Sequence, residues 1–323
     1  MVAPPEMGDR VRSALLAVCL AAALLFAAPA RAAVYYVTVA GLGGEPDYEQ
    51  QFTSLAMDLD KLLKSSSSDA HVYTLTGKDS TRAHLTDVLT QVASQAKPED
   101  DFVLTLIGHG SFDGVEYKFN LPGPDISAAD LAALCDRVPA KRQLIVNTTS
   151  ASGGSVAALE KHGRGVITAT KSGTEKNATV FARYWVQALH DPEADVDKND
   201  AITALEAFRY AASRTAAFYD AQKRLATEHA QFEDTGLHDP VRDASTETGE
   251  GLFLSSFTLI RLGAAQQAYA DPAKKELLAR KEELERQIDT LKYQKAAMSQ
   301  DDYKSQLTAA LIELAKVQEE LDK

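Results

Sequence analysis

The sequence predicts an α/β protein, a mostly parallel sheet with helices on both faces, preceded by a removable leader and followed by an antiparallel helical hairpin. Three observations carry this. Strand-like apolar runs alternate with stretches of helical period between Val34 and Leu262; an apolar leader ends in a small-residue cleavage pattern at Ala32; and beyond Pro272 the composition turns to Lys, Glu, Leu and Gln. The expected division is residues 1–32 as signal peptide, 33–265 as the α/β domain and 266–323 as a coiled-coil hairpin.

In the leader, Arg10 and Arg12 precede an apolar run from Ala14 to Ala28, and Ala30-Arg31-Ala32 supplies the A-x-A pattern. That run is shorter than the ~20 apolar residues a bilayer span needs and ends at Pro29, which favours a signal peptide over a membrane anchor. A secreted or periplasmic bacterial protein is the expectation. Of the two cysteines, Cys19 leaves with the leader, so Cys135 has no intramolecular disulfide partner and reads as a core thiol. Cleavage leaves a formal charge of −13, one below the −12 of the full chain. Such a surface repels phosphate backbones and anionic lipid, so neither nucleic acid nor a membrane surface is an expected partner.

Val34–Ala40 is rich in β-branched and aromatic residues and runs into Gly41-Leu42-Gly43-Gly44, a strand ending in a loop. Phe52, Leu55, Leu59 and Leu62 recur at helical spacing; His71–Leu75 reads as a strand and 80–96 as a helix. Phe102–Ile107 is continuously apolar, suiting burial on both faces. A hairpin is expected around Asp113-Gly114, then a helix capped by Ser127 and Asp130, and strands at Gln143–Asn147 and Gly165–Thr170. Asn177–Leu189 and Ile202–Thr227 read as helices, Gln231–Gly251 as a long surface loop and Leu252–Leu262 as a last strand. Leu277, Leu284, Ile288 and Leu291, then Tyr303, Leu307, Leu311, Leu314, Val317 and Leu321, form the seams of two helices broken at Met298-Ser299. Such a hairpin packs on the domain or on a second copy of the chain.

In parallel sheets the strand C-termini line one edge, where ligands bind. Two strand ends there carry reactive groups: Gly108-His109-Gly110, and Thr149-Ser150-Ala151-Ser152-Gly153-Gly154. Glycines let backbone approach a ligand, although a histidine there can equally serve to cap the strand end. Together the two motifs resemble the legumain and caspase-like cysteine peptidases, in which one strand ends in His-Gly and the next in Ala-Cys-x-Ser-Gly. Leu104 to Gly110 matches the first element, Leu144 to Gly153 the second, and Val166 to Gly173 followed by Asn177–Leu189 the next strand and helix. The resemblance spans Val34 to Leu262.

It implies a caspase-like fold with His109 as general base and acid, an oxyanion site at the backbone N–H of Gly110 (with that of Ser150), and a substrate wall at Thr170, Lys171 and Ser172. The departure is at the nucleophile. Counting back from Ser152-Gly153, the cysteine position holds Ser150, or Thr149 after a shift of one residue. A thiol is partly ionised near neutrality, whereas an alcohol needs a base to take its proton, usually one oriented by a carboxylate. Asp113 is the nearest acidic residue in sequence to His109. Two functions follow: a pseudopeptidase that binds an extended peptide or a protein without cutting it, or a hydrolase in which Ser150 attacks a peptide or ester carbonyl.

No cofactor is required by either. One further motif, Asp195 to Glu206, places oxygen donors at loop positions 1, 3, 5, 9 and 12 (Asp195, Asp197, Asn199, Thr203, Glu206), as in an EF-hand calcium loop. Its sixth position, normally Gly, is Asp200. The alternative is an acidic cap on the following helix. Gly41-Leu42-Gly43-Gly44 lacks the lysine and spacing of a phosphate loop, and no His or Cys cluster has zinc spacing.

Overall fold

The computed structural model describes residues 32–66, 69–237 and 239–323. The leader, apart from Ala32, lies outside them. Residues Ala33–Lys323 form one compact unit, so the hairpin belongs to the body of the α/β domain and is not set apart from it.

Strands β1 (Val34–Ala40), β2 (Ala70–Leu75), β3 (Asp101–Ile107), β7 (Arg142–Asn147) and β8 (Arg164–Thr168) are parallel, and β10 (Gln231–Glu233) closes the sheet antiparallel, in the order β10-β8-β7-β3-β1-β2. Their period of two divides the core. Tyr35, Val37 and Val39 of β1, with Phe102, Leu104 and Leu106 of β3, face one helical layer. That layer comprises α2 (Arg82–Gln95), α3 (Ala128–Cys135) and the single turn α4 (Val156–Leu159). Tyr36, Val103, Leu144 and Val146 face the other, made by α1 (Pro46–Ser66), α5 (Phe181–Ala188) and α6 (Ala204–Ala221). Cys135 sits in the first core, where burial pushes its thiol up to about 11.

Between β3 and α3 lies a small antiparallel sheet of β4 (Gly110–Phe112), β5 (Tyr117–Phe119) and β6 (Ile126–Ser127), the expected hairpin plus one strand. Ser127 caps α3 by accepting the Asp130 N–H. Several expectations are corrected. Leu252–Leu262 is not one strand: it holds α7 (Leu252–Ser255) and then β11 (Thr258–Arg261), which pairs with β9 (Ala201–Thr203). The expected loop 231–251 begins with β10, and the helices expected at 177 and 202 begin at Phe181 and Ala204. After α8 (Gly263–Ala270), α9 (Lys275–Gln294) and α10 (Gln300–Leu321) form the antiparallel hairpin.

The two arms differ. Leu278, Leu284, Ile288 and Leu291 of α9 are buried, whereas in α10 only Val317 is, and Leu311 stays 48% exposed. Arm α9 packs on the domain and α10 lies outside it. Glu282 grips Arg261 with two hydrogen bonds of 2.7 and 3.0 Å, Lys281 reaches the Asn199 carbonyl, Tyr293 that of Glu250, and Lys275 pairs with Asp69. These contacts fix the hairpin along the N-terminal edge of the sheet, the end opposite the strand tips that carry His109 and Ser150.

Candidate functional site

β3 and β7 are neighbours in register, Leu106 beside Asn147, so the segments leaving them run side by side at the C-terminal edge. Ser150 and the residues around His109 are thereby brought together, through backbone. The Ser150 hydroxyl accepts the Gly110 N–H at 3.1 Å and donates to the Gly110 carbonyl at 3.0 Å. Ser150 is 3% exposed. The donor expected to serve an oxyanion is therefore occupied by the residue expected to attack.

The His109 ring takes another direction. It lies edge-on against Tyr48 and Phe52 of α1, with centroids 4.8 and 5.1 Å away. Burial lowers its pKa below the ordinary imidazole value, against the opposing effects of a hydrogen bond with the Gly43 backbone and of nearby Glu45. No hydrogen bond joins His109 to Ser150 among the described residues. Asp113 does not supply the orienting carboxylate either: its Oδ1 accepts the N–H groups of Val115 and Glu116 and shapes the β4–β5 turn.

Thr149 is engaged elsewhere. Its hydroxyl lies 2.6 Å from the Tyr117 hydroxyl and 2.8 Å from Asn147 Oδ1, wholly buried, so the residue at the cleft is Ser150. Burial pushes the Tyr117 phenol well above its usual range. Ala151, directly after Ser150, holds φ +56 while fully buried, a left-handed conformation that a non-glycine residue adopts at a cost of order 1–3 kcal/mol. Its N–H donates to the Glu175 carbonyl at 2.7 Å, tying the serine loop to the segment that carries the expected wall.

On that segment the three expected residues part company. Thr170 is 0% exposed and acts as a strut: its hydroxyl accepts the Gly153 N–H at 2.9 Å and lies 3.1 Å from the Ser152 hydroxyl. Lys171 is exposed, its N–H held by Glu175 Oε2, and the Ser172 hydroxyl faces that of Thr174. Glu175 also receives His229, whose Nδ1 lies 2.5 Å from Oε1. Gly43, Tyr48, Phe52, Glu175 and His229 were not among the sequence candidates. The Tyr48/Phe52 pair at i,i+4 was a visible signal, since it puts two rings on one face of a helix entering the sheet edge; the Glu175–His229 contact, far apart in sequence, had none.

In the calcium-like loop, carboxylate oxygens of Asp195, Asp197 and Glu206 lie within 4.8 Å of one another. Asp200 at the sixth position takes φ +65, the conformation glycine normally supplies. Asp195 accepts the N–H groups of Asn199 and Asp200. Thr203 and Glu206 form a full capping box on α6, so these two expected ligands also start the helix. The donor set is all hard oxygen, which suits calcium. Asp197 is pushed up to about 6 by burial and by neighbouring Glu206 and Asp195.

No protein-family model matches the chain, and no curated protein does. Solved structures do resemble it. A protein of Geobacter sulfurreducens is 11% identical over 65% of this chain and 95% of its own, with a TM-score of 0.43. The Drosophila initiator caspase Dronc is 14% identical over 65% and 82%, with a TM-score of 0.42. Caspase-1 from Spodoptera frugiperda is 11% identical over 63% and 87%, with a TM-score of 0.46. Each is a likeness at low identity, and none bears on the residues of the site.

Proposed function

We propose that this chain is an exported, legumain/caspase-like pseudopeptidase that binds an extended peptide or a protein at the His109/Ser150 cleft without cleaving it. The observation that supports this most is the closed Ser150–Gly110 pair. A hydroxyl that accepts the oxyanion donor and donates to a carbonyl has its proton committed away from His109, and its oxygen fills the space an oxyanion would need. The imidazole, turned to Tyr48 and Phe52, leaves the alcohol without a base, and an unassisted alcohol is a poor nucleophile. Export rests on the leader pattern, which favours the periplasm or the exterior.

A serine-directed fluorophosphonate probe tests the reading. The wild-type protein is expected to stay unlabelled; labelling that disappears in Ser150→Ala would overturn the proposal in favour of a hydrolase. That second reading has one observation on its side, the lowered His109 pKa, which keeps the imidazole neutral and able to take a proton near pH 7. Ser150→Cys separates the two further, because a thiolate needs less help from the base: regained peptide cleavage would mean that only the nucleophile was lost.

The loop at Asp195–Glu206 is, in the same proposal, a structural calcium site, resting on its oxygen-only donors and on the left-handed Asp200. Millimolar calcium should raise the melting temperature of the wild-type protein, and chelation should reverse the rise. A melting temperature indifferent to calcium, or an equal rise in Glu206→Gln, counts against it.

A further inference from the structure

At the N-terminal edge of the sheet, far from Ser150, a cavity of about 440 Å³ opens between the starts of β7 and β8, helix α7 and arm α9. Lys141, Arg142, His162 and Arg286 line it, with Leu252 and Phe253 as apolar wall. Its lining contains one carboxylate, Asp234, whose oxygens already accept the N–H groups of Gly251 and Leu254. Three cationic side chains, Lys141, Arg142 and Arg286, against one carboxylate in the lining itself stand out in a chain of net charge −12.

The cations are incompletely satisfied from within. Arg142 donates to the Ser256 carbonyl at 2.8 Å, and its buried Nε faces Asp101 Oδ1 as an ion pair at 3.4 Å without forming a hydrogen bond. Burial lowers the Arg142 pKa, with nearby Asp101 and Glu282 opposing the effect and Arg286 adding to it. Arg286 is paired only with Glu283 of its own helix, and Lys141 has no ion pair among the described residues. The Arg142 guanidinium also lies 5.9 Å from the Phe253 ring centroid, so cationic and aromatic surfaces adjoin.

We propose that this cavity is a binding site for an organic anion with a flat apolar body, an arene carboxylate or sulfonate, held against Phe253 and Leu252 with its charge toward Arg286, Arg142 and Lys141. An inorganic oxyanion would leave the apolar wall and most of the volume unused, whereas cavities of this size hold small organic molecules. Because Arg286 belongs to the hairpin and Arg142 to the sheet, the ligand bridges the two and favours the docked hairpin by linkage.

Calorimetric titration of 2-naphthoate into the purified protein tests this, with 2-naphthylmethanol and inorganic phosphate as probes lacking the charge or the ring. Saturable naphthoate binding is expected, weakened about ten-fold in Arg286→Gln, as loss of a charge-assisted contact implies. It should weaken by a smaller factor in Lys141→Gln and be unchanged in Ser150→Ala. Lys141 is exposed, so its variant carries the test should Arg286→Gln fail to fold. Absence of naphthoate binding, equal binding by both charge variants, or phosphate or the alcohol binding as tightly as naphthoate would each overturn the proposal.

Discussion

At the C-terminal edge of the sheet, polar side chains bind backbone and one another inside the packing: Ser150 on Gly110, Thr149 on Tyr117 and Asn147, Thr170 on Gly153. At the N-terminal edge, long charged side chains reach across the seam between domain and hairpin: Arg261 to Glu282 and Lys275 to Asp69. The first end depends on steric fit and is indifferent to salt; the second depends on charge and yields to screening. A binding cleft needs the former, since it must keep its shape when a ligand arrives, while a docked hairpin can be held by the latter.

The sharpest way to break the cleft end is Gly110→Ala. A Cβ there would lie 2.5 Å from the Ser150 carbonyl oxygen and the Tyr117 ring, and 2.7 Å from the Thr149 hydroxyl. Overpacking against backbone that cannot retreat costs up to about 3 kcal/mol, the largest effect expected here. Chemical denaturation should show it as a lower midpoint with the same deficit at low and high salt. A wild-type midpoint would mean that the β4 segment is looser than these contacts imply.

At the hairpin end, Glu282→Gln keeps the shape and removes the charge. Arg261 and Glu282 have side chains 20% and 16% exposed, so the pair is neither fully screened nor fully buried, and a loss of about 1 kcal/mol is expected at low ionic strength. Unlike the glycine variant, this difference should shrink in 1 M salt, where the Debye length is about 3 Å. A deficit that ignored salt would place the hairpin's docking in α9's apolar contacts alone.

The contrast also marks what the sequence could reveal. The five parallel strands were legible as short runs rich in β-branched and apolar residues; element order put Gly108-His109-Gly110 and Ser150 at the same sheet edge, and the resemblance to legumain and caspase-like peptidases implied that their strands are neighbours. Strands β9 and β10, three residues each, are too short for any period. Leu252–Leu262 is mostly apolar, interrupted at Ser255-Ser256, Thr258 and Arg261, and its periodicity does not divide it into a turn of helix and a strand. The direction of the His109 ring was not legible either. Spacing places a residue at a strand tip, but the rings of Tyr48 and Phe52, contributed by a different element, decide where its side chain goes.

That ring supplies the smallest and most local prediction. Burial against Tyr48 and Phe52 lowers the folded-state pKa of His109, while the unfolded chain keeps an imidazole near 6.5. On acidification the unfolded state therefore takes up the proton first. The stability linked to His109 is fully present above about pH 6.5 and is lost as pH falls from there toward the folded-state pKa. Unfolding free energies measured from pH 7.5 to 5 should fall less steeply in His109→Gln than in wild type, and the His109 ring protons should titrate by NMR with a midpoint below 6.5. A midpoint at or above that value would mean that the imidazole faces a carboxylate or open solvent and does not pack against Tyr48 and Phe52.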